Sequence, residues 1–203
     1  MNIIKDADSI YITLRRMINL VKTIVHEVNH ETVSTAKRNR LAGRVSAGHH
    51  RHFASNEIIV SGLTVAQIWA QLDDTTLWPG YYSNVADIHF HDGSGPTLSA
   101  NARFSFSTFG FPIEAQITEY VPPVAGQAAR VAWHGWAEGD ATTRLDVIHA
   151  WLFEDLPGGR VRILTQESQK GVPAQELART LPNPMINGHQ EWICGLVKSA
   201  RGE

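Results

Sequence analysis

A glutamate inside an apolar run is the residue of this sequence best placed to do chemistry. Glu167 lies in the run from Val161 to Ser168, where successive residues alternate between the two faces of a strand. Placing the charged Arg162 in water turns Glu167 inward, on the same face as Ile163 and Thr165. We expect this burial to raise the pKa of Glu167. A carboxyl group with a pKa near neutrality can act as a general acid or base.

A histidine on the run before it faces the same interior. His149 alternates in step with Trp151 and Phe153, and the turn signal at 157–159 predicts that the two runs form a hairpin. His149 can therefore pair with Glu167 or contact a ligand directly. Two interpretations stay open, a proton-transfer pair and a hydrogen-bonded core pair without chemistry.

Aromatic side chains supply the apolar part of the candidate site. Alternation places five of them on the inner faces of their strands: Phe104, Phe106, Trp133, Trp151 and Phe153. Such rings pack in a core or border a cavity, where they offer flat apolar contact to a ligand. We expect a sheet whose inner face lines a cavity that binds a small hydrophobic molecule, with Thr165 also in contact.

Composition excludes several other classes of protein. The chain has 203 residues, enough for one substantial core with an appendage. Hydrophobic residues at 43% and charged residues at 19% are typical of a soluble globular protein, and a net charge of -2 gives no basic stripe for nucleic acid. No apolar run is long enough to span a membrane. The single cysteine, Cys194, is expected on a buried helix face, and a cytoplasmic location is predicted.

No metal or cofactor is predicted. The histidines at 49, 50 and 52 form a cluster, but no nearby carboxylate or cysteine completes a recognisable ligand spacing. The pair at 89 and 91 has a spacing that can chelate, but no third ligand is evident. We expect the first group in a solvated segment and the second facing solvent. The sequence has no Gly-x-Ser-x-Gly elbow, glycine-rich phosphate loop or paired-cysteine motif.

The elements that position these residues form a regular series. A short strand at 56–60 precedes a helix capped by Thr64, and a short turn follows through Trp78 to Tyr82. Six strands are predicted at 85–91, 97–109, 113–120, 130–137, 144–154 and 161–168. A terminal helix from about 173 to 200 should be kinked or interrupted at Pro182 and Pro184. This order predicts an α+β domain, an antiparallel curved sheet wrapped around a long C-terminal helix.

The first 52 residues are predicted to be a separate extension to a domain at 53–203. Residues Ser9 to His30 have the spacing of an amphipathic helix, and a polar, basic linker follows up to His52. The helix is expected to pack on the domain or on a second copy of the chain, which would make a homodimer. A lid over the cavity and a membrane-surface helix are the alternatives, and few basic residues disfavour the second.

Four stretches resemble the START-like superfamily, also called the SRPBCC or helix-grip group, and within it the polyketide cyclase/dehydrase-like proteins. The stretches are LTVAQIWAQLDD with the following WPGYY, FSFSTFGFPIEAQITEYVPP, HAWLFEDLPGGRVRILTQESQKG, and NGHQEWICGLVKSA. Together with their order they cover the chain from about 53 to 201.

The resemblance implies a deep apolar cavity for a lipid-, polyketide- or aromatic-like molecule between the sheet and the C-terminal helix. It places Trp78, Tyr81 and Tyr82 near the mouth of that cavity. The group has no universal catalytic residue. Binding of a hydrophobic molecule is therefore the predicted function, and the alternative is a polyketide cyclase/dehydratase-like enzyme that uses Glu167 and His149 for proton transfer.

Overall fold

Seven antiparallel strands form one sheet in the computed structural model, which describes residues 52–203. The strands are β1 (His52–Ser61), β2 (Val85–Phe90), β3 (Arg103–Thr108), β4 (Phe111–Val121), β5 (Ala129–Ala137), β6 (Leu145–Leu156) and β7 (Arg160–Lys170). Their order across the sheet is β1-β7-β6-β5-β4-β3-β2, so every pair of neighbours except β1 and β7 is also consecutive in sequence. The predicted meander is confirmed, with the first strand closing one edge.

Four helices accompany the sheet in this part of the chain. They are α1 (Val65–Asp73), α2 (Trp78–Tyr81), α3 (Val172–Arg179) and α4 (Pro184–Arg201), with a 3-10 turn (Thr75–Leu77) before α2. Thr64 caps α1 as predicted, because its side chain accepts a hydrogen bond from the backbone N–H of Gln67. The predicted interruption of the last helix is also confirmed, since Pro182 lies between α3 and α4 and Pro184 begins α4.

Helix α4 packs across the sheet and holds the core together. Its Trp192 ring contacts Trp133 on β5, Trp151 on β6 and Trp78 on α2, with ring centroids 5.2 to 6.3 Å apart. Buried aromatic rings of this size contribute a large part of the apolar area removed from water. The predicted fold class, a curved antiparallel sheet gripping a C-terminal helix, is confirmed.

Two predicted strand boundaries are wrong. The first strand begins at His52 rather than at residue 56, because the whole of 52–61 pairs with β7. The strand predicted from residue 97 begins only at Arg103. The intervening segment is a turn, in which the N–H of Leu98 bonds to the carbonyl of Asp73 and the N–H of Ala102 to that of Ser99.

The predictions for the N-terminal extension fall almost entirely on residues 1–51, which lie outside the described residues. They stay predictions, as does the homodimer that depends on them. Within residues 52–203, no helix is both long and apolar enough to cross a membrane. Cys194 is half-buried rather than buried as predicted, and the side-chain amide of Gln190 lies 3.4 Å from its sulfur.

Candidate functional site: a buried carboxylate between two imidazoles

The β6–β7 hairpin brings the two residues singled out by sequence into direct contact. His149 and Glu167 are opposite each other in the ladder, and Gly158 and Gly159 of the connecting turn have the positive φ angles that glycine adopts without strain. The distance from His149 Nδ1 to Glu167 Oε2 is 3.1 Å. Only 3% of His149 and 6% of Glu167 are exposed, so the predicted inward orientation of both residues is confirmed.

A second imidazole reaches the same carboxylate from helix α4. His189 Nε2 lies 3.4 Å from Glu167 Oε2, and its ring stacks on that of His149 with centroids 4.8 Å apart. His189 is 1% exposed. Within residues 52–203 its Nδ1 has no hydrogen-bond partner, and its Nε2 has only this long approach to Glu167. We refer to His149, Glu167 and His189 as the His–Glu–His cluster.

Two further side chains of β7 hold the cluster in place. The Thr165 hydroxyl lies 2.7 Å from His149 Nε2, and the Gln169 amide donates a 2.6 Å hydrogen bond to Glu167 Oε1. His149 and Glu167 therefore each have a second hydrogen-bond partner in addition to one another. A hydroxyl can donate or accept, so Thr165 suits His149 in either tautomer.

The hydrogen-bond network continues from the cluster to the start of helix α4. Gln169 Oε1 lies 2.6 Å from His52 Nδ1, and the Asn183 amide lies 3.1 Å from His52 Nε2. The Asn183 side-chain oxygen in turn caps α4 by accepting hydrogen bonds from the N–H groups of Met185 and Ile186. The expectation that His52 belongs to a solvated segment is wrong, because His52 is buried beside β7 and its two ring nitrogens have Gln169 and Asn183 as partners.

The two imidazoles reverse the pKa shift expected for Glu167. Desolvation by burial raises its pKa, but the hydrogen bond from His149 and the adjacent His189 ring outweigh that effect and leave the pKa below its ordinary value. The predicted rise is therefore wrong, since it counted burial without the two neighbours. Burial, with a smaller contribution from His189, also lowers the pKa of His149 despite the neighbouring carboxylate. At neutral pH Glu167 is ionised and His149 is neutral, donating its Nδ1–H.

A cavity of about 40 Å³ adjoins the cluster between the sheet and helix α4. Most of its lining is apolar or aromatic, and four of its polar lining residues, His149, Glu167, Gln169 and His189, are in contact with one another. The lining residues are Tyr82, Phe106, Thr108, Phe109, Phe111, Ile113, Trp133, Gly135, Leu145, Val147, His149, Glu167, Gln169, Leu177, Met185, His189 and Trp192. Among these, Thr108, Phe109 and Phe111 alone are half-buried, which puts the opening at the β3–β4 turn.

The structure brings some of the candidate residues together and separates others. Tyr82, Phe106 and Trp133 line the cavity beside His149 and Glu167. The remaining candidates do not line it: Phe104, Trp151, Phe153, Thr165 and Trp78 are buried elsewhere in the core, and Tyr81 is half-buried.

Of the three residues that the resemblance placed at the mouth, Tyr82 lines the cavity, whereas Trp78 and Tyr81 do not. The Trp78 indole N–H donates to the carbonyl of Leu72, 2.8 Å away, and the Tyr81 hydroxyl donates to the carbonyl of Gln71. These bonds fix both rings on helix α1. Burial raises the pKa of Tyr82, so its hydroxyl stays protonated in the cavity wall.

Sequence analysis missed His189, the third member of the cluster. Its signal is helical rather than strand-like, since His189 follows Met185 by four residues and precedes Trp192 by three, on the apolar face of α4. Gln169 was also missed, although it alternates in step with Glu167. Phe109 and Phe111 were also missed. They flank Gly110 at the β3–β4 turn, where strand alternation no longer assigns a residue to a face.

Several solved structures are similar to this chain. A crystal structure of hypothetical protein jhp0584 from Helicobacter pylori matches 83% of this chain and 99% of its own, with 42% identity and a TM-score of 0.75. The di-domain ARO/CYC protein BexL of the BE-7585A biosynthetic pathway matches 71% of this chain and 45% of its own, at 9% identity and a TM-score of 0.50. A conserved protein from Geobacillus kaustophilus matches 74% of this chain and 95% of its own, at 12% identity and a TM-score of 0.52.

The two more distant structures share the fold alone, which is the helix-grip fold. No protein-family model matches the chain, and no curated protein matches it. The chain belongs to the same family as jhp0584. The helix-grip fold that the resemblance to START-like (SRPBCC) proteins implied is confirmed.

Proposed function

We propose that this protein binds a small, mostly apolar molecule in the cavity between the sheet and helix α4, with the polar end of that molecule on the His–Glu–His cluster. One observation carries the proposal. The walls of the cavity are mostly apolar, and four of its polar lining residues lie together at one place: His149, Glu167, Gln169 and His189. Binding sites for small molecules typically combine an apolar lining with a few converging polar groups.

The size of the cavity limits the class of ligand. A volume of about 40 Å³ has room for a few water molecules, whereas pockets for drug-sized ligands occupy roughly 300–1,000 Å³. We therefore favour a compact aromatic-like ligand over a long lipid chain.

Entry of a ring requires movement at the β3–β4 turn. There Phe109 has a φ of +49° and its ring packs directly against Gly188 of α4. The Phe109 ring therefore has to move away from Gly188 before a molecule with a ring can enter the cavity.

Saturation-transfer NMR with phenol, cyclohexanone and benzyl alcohol tests the proposal. Each probe has one ring and one oxygen, and we expect signal transfer from the wild-type chain. Val147→Phe puts a ring into the cavity and should abolish the transfer. Ile148→Phe is the matched control, because Ile148 is its neighbour on the opposite face of β6 and is absent from the cavity lining.

Equal transfer to the wild type and to folded Val147→Phe would show that the probes bind elsewhere. Failure of all three probes with the wild type would contradict the favoured ligand class. The thermal unfolding of each variant must be recorded alongside, since overpacking alone costs about 1–3 kcal/mol.

Proton-transfer catalysis is a second candidate function, and the hydrogen-bonded chain from Glu167 through His149 to Thr165 favours it. A carboxylate that orients an imidazole is a common arrangement for general base catalysis. A substrate that replaced the Thr165 hydroxyl at Nε2 would meet an imidazole positioned by Glu167. If Glu167→Gln leaves ligand affinity intact and abolishes turnover of the same molecule, the enzyme is supported; if only affinity changes, the binding function stands.

A further inference from the structure

We infer that the His–Glu–His cluster binds a divalent transition-metal ion such as Zn²⁺, through His149 Nδ1, His189 Nε2 and the carboxylate of Glu167. The inference shares the cavity of the proposed function but does not depend on any organic ligand. The three residues come from two adjacent strands and one helix, and the fold alone brings them together.

The distances within the cluster are close to those of a metal site. His149 Nδ1 and His189 Nε2 lie 3.1 and 3.4 Å from Glu167 Oε2, and one ligand atom from each residue lies within 4.8 Å of the other two. Ligands about 2.1 Å from a tetrahedral zinc ion are roughly 3.4 Å from one another. Small rotations of the two imidazole rings would complete this geometry.

The types of ligand select the class of metal. Two imidazoles and one carboxylate suit zinc and other divalent first-row transition ions, whereas calcium and magnesium prefer oxygen ligands throughout. Three protein ligands also leave a coordination position open, as in zinc sites that bind water or substrate. Here the open position can face the cavity, because all three residues line it.

Supporting contacts outside the ligands are also present. With Nδ1 on the metal, His149 carries its proton on Nε2 and donates it to Thr165 Oγ1, 2.7 Å away. The Gln169 amide holds the other carboxylate oxygen of Glu167 at 2.6 Å. Partners of this kind orient the ligands of most protein metal sites, and their loss typically weakens metal binding 10- to 100-fold.

The position of His189 is the independent observation that points to an occupant. Its ring is 1% exposed. Within residues 52–203 Nδ1 has no hydrogen-bond partner, and Nε2 has only a long 3.4 Å approach to Glu167 Oε2. Burying a polar group without a partner is costly, and most buried polar atoms in native proteins are satisfied. A metal ion on Nε2 would replace this long, weak contact with a coordination bond to His189.

Titration with Co²⁺ tests the inference. The full chain is purified without metal-affinity resin and treated with EDTA before the titration. We expect uptake of one equivalent with visible d–d absorption, displaced by Zn²⁺. His189→Ala and Glu167→Gln should each weaken Co²⁺ binding at least tenfold. His91→Ala is the control, since His91 is an exposed histidine that pairs with Glu114 on the sheet surface, and it should bind as the wild type does.

A second measurement needs no variant and covers the case in which a substitution prevents folding. Long-range ¹H–¹⁵N NMR of the wild-type imidazoles should show changed signals for His149 and His189 on addition of equimolar Zn²⁺, while those of His89, His91 and His134 stay in place. Unchanged cluster signals, or Co²⁺ uptake that survives in both folded cluster variants, would overturn the inference.

The two proposals fail separately. Metal uptake without transfer to phenol, cyclohexanone or benzyl alcohol leaves the metal site standing and contradicts the ligand class. Saturation transfer to these probes, with cluster imidazole signals that Zn²⁺ leaves unchanged, supports the ligand site and contradicts the metal site.

Discussion

Glu167 is a carboxylate almost without access to water, and its two oxygens have different partners. Oε2 lies between the two imidazoles, and Oε1 accepts from Gln169. A buried charge is stable only when its lone pairs are satisfied. The contribution of Gln169 can therefore be measured by removing it alone.

Gln169→Leu should lower the free energy of unfolding by about 2–4 kcal/mol, because it leaves Glu167 Oε1 and His52 Nδ1 without a partner. Urea denaturation measures the loss. The control is Gln116→Leu on β4, where the side chain is exposed and the change should stay within about 0.5 kcal/mol. Equal losses in the two variants would show that the hydrogen bonds of Gln169 do not stabilise the site.

Sequence predicts part of this site because strand alternation is a local rule. Alternation predicts that Glu167 and His149 point inward, and the short turn between their strands predicts that they are neighbours. It could not predict His189, whose contact with Glu167 depends on how helix α4 lies across the sheet. Nor could it give the direction of the Glu167 pKa shift, which is decided by distances to two histidines on other elements.

At the scale of elements, the close approach of α2 to α4 fixes how the last helix lies over the sheet. A Cβ on Gly195 of α4 would clash with the backbone carbonyl oxygen of Tyr81, which cannot move away without shifting α2. The rings of Tyr82 and Trp192 stack beside this contact with centroids 4.4 Å apart. The glycine therefore permits the packing that brings His189 to the cluster.

Gly195→Ala should destabilise the protein by about 1–3 kcal/mol, as expected for overpacking against backbone. Gly80→Ala in α2 is the matched control, because nothing lies within 4 Å of its added Cβ. We expect that variant to unfold within about 1 kcal/mol of the wild type. Thermal unfolding of the pair measures the difference, and a stable Gly195→Ala variant would contradict the close approach.

Sequence predicts most of the elements but not all of their ends. The two prolines correctly divided the last helix, since proline cannot donate within a helix. The strand predicted from residue 97 was too long, because hydrogen bonds to Asp73 and Ser99 hold residues 98–102 in a turn. Asn101, with a φ of +64°, marks that turn, and alternation of apolar residues gives no sign of it.

At the scale of the whole molecule, the order of elements and the resemblance were sufficient to predict the helix-grip fold. The volume of the cavity was not predictable, because it depends on how the rings of Trp78, Trp133 and Trp192 pack together across three elements. These rings fill most of the space between the sheet and α4. What is left is a small cavity with polar groups gathered at the His–Glu–His cluster.

Native mass spectrometry of the full chain as purified tests most directly whether this cavity is a binding site. We predict an added mass from a small molecule, a metal ion or both on the wild type and on Ile148→Phe, and loss of the organic component in Val147→Phe. A wild-type spectrum that shows the bare chain alone, or an organic component retained by folded Val147→Phe, would contradict binding in the cavity.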